Sequence, residues 1–198
     1  MRRLVLSVVA VVGVALHTLA GAATWEIDPA HTSVGFGVRH LMVSTVRGEF
    51  TKVSGTAQAD DKDYTKAKIE ATIDAASINT RVEKRDAHLK SPDFLDVAKY
   101  PTITFVSKKI EKAGDGRWKV TGDLTLHGVT RPVTLDVEGP TPPVKDPMTG
   151  ALRAGAQATA RINRKDFGIM WNKNLDGGGV VVGEDVDITI DVEGVQKQ

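Results

Sequence analysis

Hydrophobic and polar residues alternate with period two along most of this chain, the pattern of strands with one wet face. Val34, Phe36 and Val38 share one face, and Ser33, Gly35, Gly37 and Arg39 the other. From Val46 to Ala59 a long strand is predicted, carrying Phe50 and Val53. Its apolar parity changes midway, which predicts a bulge near Thr51. Ala67, Ile69, Ala71 and Ile73 then oppose Lys68, Glu70, Thr72 and Asp74. Further strands are predicted from Thr102 to Ile110, around Trp118 to Leu126, around Val133 to Val137, from Arg153 to Lys165 and from Val180 to Val195. Ala113-Gly114-Asp115-Gly116 reads as a hairpin turn. The Pro-rich piece from Pro140 to Gly150 reads as a loop, too short to separate two domains.

One stretch breaks the pattern. Asn79 to Pro101 has few β-branched residues, and Thr80-Arg81-Val82-Glu83 has the form of a capping box. A helix is predicted from Arg81 to Lys90, ended by Pro92. Ser91-Pro92 can cap one more short turn through Phe94 and Leu95. The expectation is a single helical insert near residues 80–96 that closes one end of an all-β body.

About eight antiparallel strands, each with one apolar face, need that face and two sheet edges covered. Closure into an eight-stranded barrel does both, and a two-sheet sandwich is the alternative. The predicted inner faces are built from small residues: Ala154, Ala156, Ala158 and Ala160 fall on one face, and Gly48, Gly55 and Gly122 sit in or beside apolar faces. Eight strands leave room for side chains to fill the interior or for one small ligand. Either these walls line a tunnel, or Phe36, Phe105 and Trp118 fill the space opposite them. Phe94, Leu95, Phe167, Ile169, Met170 and Trp171 add apolar surface in loops and strand ends near the insert. Such residues suit adaptable lipid-like binding or a small satellite core.

Composition changes this picture in two ways. Arg2 and Arg3, the apolar run from Leu4 to Leu16 and Ala20-Gly21-Ala22 have the form of a cleaved export signal, residues 1–22. Its apolar run is shorter than the ~20 residues of a membrane span. The rest, residues 23–198, reads as one domain without a second apolar span. Loss of the two leading arginines turns a formal net charge of +1 into −1. A nearly neutral domain exerts no long-range attraction on nucleic acid or anionic membrane. The chain has no Cys, so disulfides, thiol nucleophiles and thiolate metal sites are excluded.

Candidate chemistry is sparse. His31, His40, His88 and His127 form no H-x-x-x-H or H-x-H pair, so no metal or other cofactor is expected. There is no G-x-S-x-G turn, and Gly177-Gly178-Gly179 leads into a strand where a phosphate loop needs Lys-Ser and a helix. Arg81, Arg85 and His88 share one side of the predicted helix and can meet a polar head group, or stand exposed or ion-paired with Asp86 or Asp93.

Several stretches together resemble the YceI-like family of secreted lipid-binding proteins. They are Asp28 with His31-Thr32-Ser33-Val34-x-Phe36, then Arg39-His40-Leu41 with Val46-x-Gly48-x-Phe50, and Arg85-Asp86-x-His88-Leu89-x-Ser91-x-Asp93-Phe94-Leu95. Lys99-Tyr100-Pro101, the run from Gly122 to Val133 and Asn163-Arg164-x-Asp166-Phe167-Gly168 continue the likeness in order. The resemblance implies a lipocalin-like extended barrel with an elongated apolar pocket for a polyisoprenoid or other long amphiphile, exported to the periplasm. It carries over no catalytic residue.

The expected pocket residues are Phe36, Val38, Phe94, Leu95, Phe105, Ala156, Ala158, Phe167, Ile169 and Trp171, with a polar mouth of His40, Arg85 and His88. The expected partner is a long-chain isoprenoid or fatty amphiphile held by a carrier that is not an enzyme, and a homodimer is left open. The rivals are a structural or protein-interaction domain with a filled core, and an enzyme that uses His88 or His40 on such a lipid.

Overall fold

The computed structural model describes residues 21–197, so the leader expected over residues 1–22 lies almost wholly outside the described residues. Strands β1 (Ala23–Ile27) and β2 (Ser33–His40) run in one direction along the last strand, β12 (Val182–Gln196), and act as one interrupted strand. Two more are interrupted in the same way. β3 (Ser44–Phe50) and β4 (Val53–Ala59) pair with β2 and β1 respectively, and β5 (Lys68–Asp74) and β6 (Ile78–Asn79) pair with β4 and β3. The single long strand predicted from Val46 to Ala59 is therefore broken at Thr51-Lys52, where the parity change placed a bulge. The Thr51 N–H there donates to the Ser77 carbonyl oxygen at 3.2 Å, which turns this corner against the neighbouring corner between β5 and β6.

Regular antiparallel strands follow: β7 (Thr102–Gly114), β8 (Arg117–Leu126), β9 (Val129–Glu138) and β11 (Leu152–Asn163). The ladder runs β11, β9, β8, β7, β5, β4, β1, β12 and closes where β12 pairs again with β11. The result is a closed eight-stranded antiparallel barrel, as expected, and the sandwich alternative falls away. The 140–150 segment, expected as plain loop, contains the short strand β10 (Val144–Lys145), which folds back on β11.

The helical insert is α1 (Glu83–Lys90). Pro92 follows its end as predicted, and residues 92–95 form turns beyond it. Its start differs from the prediction. Val82 is the N-cap and no side chain caps the helix. Arg81 takes a left-handed φ of 65°, which turns Thr80 away from the Glu83 amide. Thr80 is instead buried, and its N–H and hydroxyl both donate to the Asp86 carboxylate, at 2.9 and 2.5 Å. The reciprocal bond of the capping box is made, but by an acid three residues later than expected. This fastens α1 across the end of the barrel where β3 and β6 meet, over a core of Ile78, Phe94, Leu95, Ile103 and Ile162.

Candidate functional site

Period-two alternation turns one residue in two toward the barrel axis. On β11 and β12 the register sets Ala156 opposite Val192, Ala158 opposite Ile190 and Ala160 opposite Ile188. Small residues on one strand thus face branched residues on its neighbour, and the interior between them stays open. A cavity of about 500 Å³ runs along the axis, within the ~300–1,000 Å³ range of ligand sites. Its lining extends along β12 from Val182 to Val192, about 33 Å of strand at ~3.3 Å per residue. A second cavity of about 220 Å³ continues it toward the other end and shares Ile69, Val120 and Ala156 with it.

The aromatic residues that could have filled this space are laid against the wall. Phe36 stands opposite Gly48 in the β2–β3 register. A Cβ on Gly48 would come within 2.5 Å of the Phe36 ring, and one on Gly122 within 2.5 Å of the Phe105 ring. Each ring therefore occupies the place of a missing side chain on the neighbouring strand, leaving the axis clear. Trp118 lies at the far end, where its indole N–H donates to the Gly139 carbonyl oxygen at 2.9 Å and its ring meets Tyr64 edge-on.

Of the expected pocket residues, Phe36, Val38, Phe94, Leu95, Phe105, Ala156, Ala158, Ile169 and Trp171 line the main cavity. Phe167 does not. It is the most deeply buried large side chain, and it packs in the core behind the wall. The aliphatic residues that complete the lining, such as Val120, Leu135 and Ile190, were legible as inward faces of the alternation. Arg164 was missed as a lining residue because its place in the sequence looks like any basic residue at a strand end.

His40, Arg85 and His88 meet at the helix end of the cavity. His88 bonds Asp93 at 2.8 Å and has Phe94 and Trp171 edge-on, with ring centroids 5.0 and 5.1 Å away. Arg85 donates from Nε to the Thr80 hydroxyl and from Nη2 to the Thr80 carbonyl oxygen, both at 2.8 Å. Arg164 is buried there and donates to the carbonyl oxygens of Gly183 and Ile169. Burial pulls its guanidinium below the ordinary arginine value, opposed by the charge of Glu184. No Asp or Glu is among the described lining residues, so the charged groups facing this cavity are cationic or imidazole. Thr32 is the one hydroxyl residue among them, and it bonds the Glu193 backbone away from the histidines.

His31 lies on the β1–β2 turn, where Asp28, His31 and Glu193 bring their ligand atoms within 4.8 Å of one another. A cation is already built into this cluster. Arg153 donates from Nη1 to Asp28 at 2.6 Å and to Glu193 at 2.5 Å, and from Nε to Asp146 at 3.0 Å. Bonds from Arg153 and His31 hold the Asp28 carboxyl far below the usual carboxylate range. His31 is raised, chiefly by its bond to Asp28. The donor set fits a guanidinium, and a metal ion would have to displace it.

Comparison with known proteins gives a consistent result. The YceI-like domain family matches residues 25–194. A UPF0312 protein of Staphylococcus aureus is 42% identical over 171 residues, which cover 85% of this chain and 95% of that protein. The crystal structure of a Campylobacter jejuni YCEI protein superposes with a TM-score of 0.66 at 34% identity, covering 86% of this chain and 96% of that one. A polyisoprenoid binding domain from Saccharophagus degradans, implicated in plant cell wall breakdown, shares the fold at 16% identity, with a TM-score of 0.63 over 87% of this chain and 98% of that one.

Proposed function

The chain belongs to the YceI-like domain family, and from that premise we propose that it is an exported carrier holding a polyisoprenoid or similar long amphiphile in the barrel. The observation that carries this reading is the axial cavity of about 500 Å³, narrow, apolar and kept open by Gly–aromatic pairs on its wall. A preformed apolar tunnel is the cheapest receptor for a flexible chain. Each buried methylene contributes ~0.8 kcal/mol, and little is spent on rearranging the protein. Polyisoprenoid binding by the Saccharophagus degradans domain supports the reading at the level of fold. The polar end of the ligand then lies among His40, Arg85 and His88. Binding rather than turnover is favoured because the His88–Asp93 pair is exposed on both sides and the hydroxyl beside it, Ser91, donates to the His88 backbone carbonyl oxygen at 2.8 Å. Export to the periplasm rests on the leader-like residues 1–22.

Native mass spectrometry of the protein purified from its own cells tests both parts. The expected spectrum is a chain beginning at Ala23 or Thr24 with one long-chain lipid bound. A mature chain that keeps Leu4 to Leu16 would overturn the export assignment. A protein without bound lipid that also fails to take up prenyl or fatty ligands would overturn the carrier assignment.

A further inference from the structure

The β2–β3 hairpin tip breaks two local rules at the same residues. Val43 N–H donates to the His40 carbonyl oxygen at 3.0 Å, closing a turn whose central residues, Leu41 and Met42, have φ of 49° and 60°. A turn with two left-handed residues ordinarily takes Asn-Gly. Here it takes Leu-Met and carries the associated backbone strain. The same residues are exposed: Leu41 is 39%, Met42 52% and Val43 77% accessible. The strained conformation is held from both sides. Leu41 N–H donates to the Val181 carbonyl oxygen at 2.8 Å, and Arg39 donates to the Met42 carbonyl oxygen at 2.6 Å.

This apolar tip stands at the mouth of the cavity. His40, Val181 and Val182, which flank it, are cavity-lining residues. Met42 packs beside Gly179 of the 172–182 loop, and Met170, 61% exposed, precedes the lining residue Trp171. The rim also carries cations. Arg39, Arg85 and Lys173 lie around it and make no ion pair among the described residues. The acids nearby are Asp86, which accepts from Thr80, Asp93, which bonds His88, and Asp176 within the loop.

We propose that this rim docks on a lipid bilayer bearing anionic head groups, with Leu41, Met42 and Met170 entering the interface and Arg39, Arg85 and Lys173 resting on the head groups. Exposed apolar side chains ringed by unpaired cations are the ingredients of interfacial membrane binding. The position supplies the reason. A long chain leaving a bilayer through this mouth goes from one apolar medium to another, and its methylenes do not cross water. The inference rests on the carrier reading for its purpose but has an independent test.

The probe is co-sedimentation with phosphatidylglycerol vesicles, with phosphatidylcholine vesicles for comparison. The wild-type protein is expected to partition to the anionic vesicles, more weakly to the neutral ones, and less as salt rises. The double variant Leu41→Asn with Met42→Gly supplies the residues that the turn prefers. It should keep or raise the thermal midpoint and lose about tenfold in vesicle partition. Met148→Ser, at the far end and 92% exposed in the wild type, should partition as wild type does. Failure of the wild type to bind either vesicle, as for a rim that meets a protein, overturns the proposal. Equal binding by the double variant also overturns it. A fluorescent alkyl probe titrated in vesicle-free solution reports the cavity separately. If no probe binds while the double variant still loses vesicle partition, the carrier reading fails and the docking surface stands.

Discussion

Thr80 shows how far single residues can be read. Its spacing to Glu83 suggested a helix cap, and the sequence could not show that Arg81 would take a left-handed turn between them. In the folded chain the Thr80 hydroxyl donates to Asp86 and accepts from Arg85, while its methyl sits over Gly48. Thr80→Ala removes a partner from two charged groups at once. It should cost about 1–3 kcal/mol, the penalty for leaving such groups unsatisfied, whereas Thr80→Ser should recover most of that. Urea unfolding of the two variants measures the difference. If Thr80→Ala and wild type unfold together, the residue is not the hub described. The glycines pose the same difficulty. Gly48 and Gly122 were visible as gaps in apolar faces, but the Phe36 and Phe105 rings that occupy those gaps belong to neighbouring strands. A contact of that range leaves no mark on local sequence.

Elements were more legible than residues, because alternation and Pro placement act over a few positions. The helical insert, but for its start, and the hairpin at Gly114 appear where the sequence put them, and at Thr51 the expected bulge is a full break in the strand. What the sequence could not show is how the interrupted strands are tied. At the β1–β2 break, Arg153 of β11 gathers Asp28, Glu193 of β12 and Asp146 beyond β10. Asp146 is held at about 2, first by the Met148 backbone N–H, then by Thr149 and Arg153. Asp28 lies lower still. Carboxylates depressed in the folded state contribute stability that is full above their unfolded value of ~3.9 and is lost as pH falls through the folded value. His31 acts in the opposite sense. Its contribution is full below ~6.5 and is lost as pH rises through its raised value. Arg153→Met should therefore lower the unfolding midpoint at pH 6, and its gap from wild type should begin to narrow below pH 4 and keep narrowing down to pH 2. Thermal unfolding across pH 2–8 reads this directly, and a gap that is constant with pH would contradict the role given to Arg153.

At the scale of the molecule, closure into a barrel followed from counting strands and asking where their edges go. Whether the barrel is filled did not follow, since small residues on one wall are compatible with large ones opposite. The folded chain answers through register: Ala158 faces into the cavity beside Ile190 and Val137, and the aromatic rings are set back over glycines. Ala158→Phe probes this point most directly, because the two arrangements respond in opposite ways. In an open tunnel the new ring enters empty apolar space and gains burial, so stability should hold or rise while binding of a fluorescent long-chain lipid falls at least tenfold. In a filled core the same ring overpacks and costs about 1–3 kcal/mol. Thermal unfolding and lipid titration of this one variant therefore decide the central claim. Retained stability with lost binding is the result predicted, and lost stability together with a wild type that binds no lipid is the result that would contradict it.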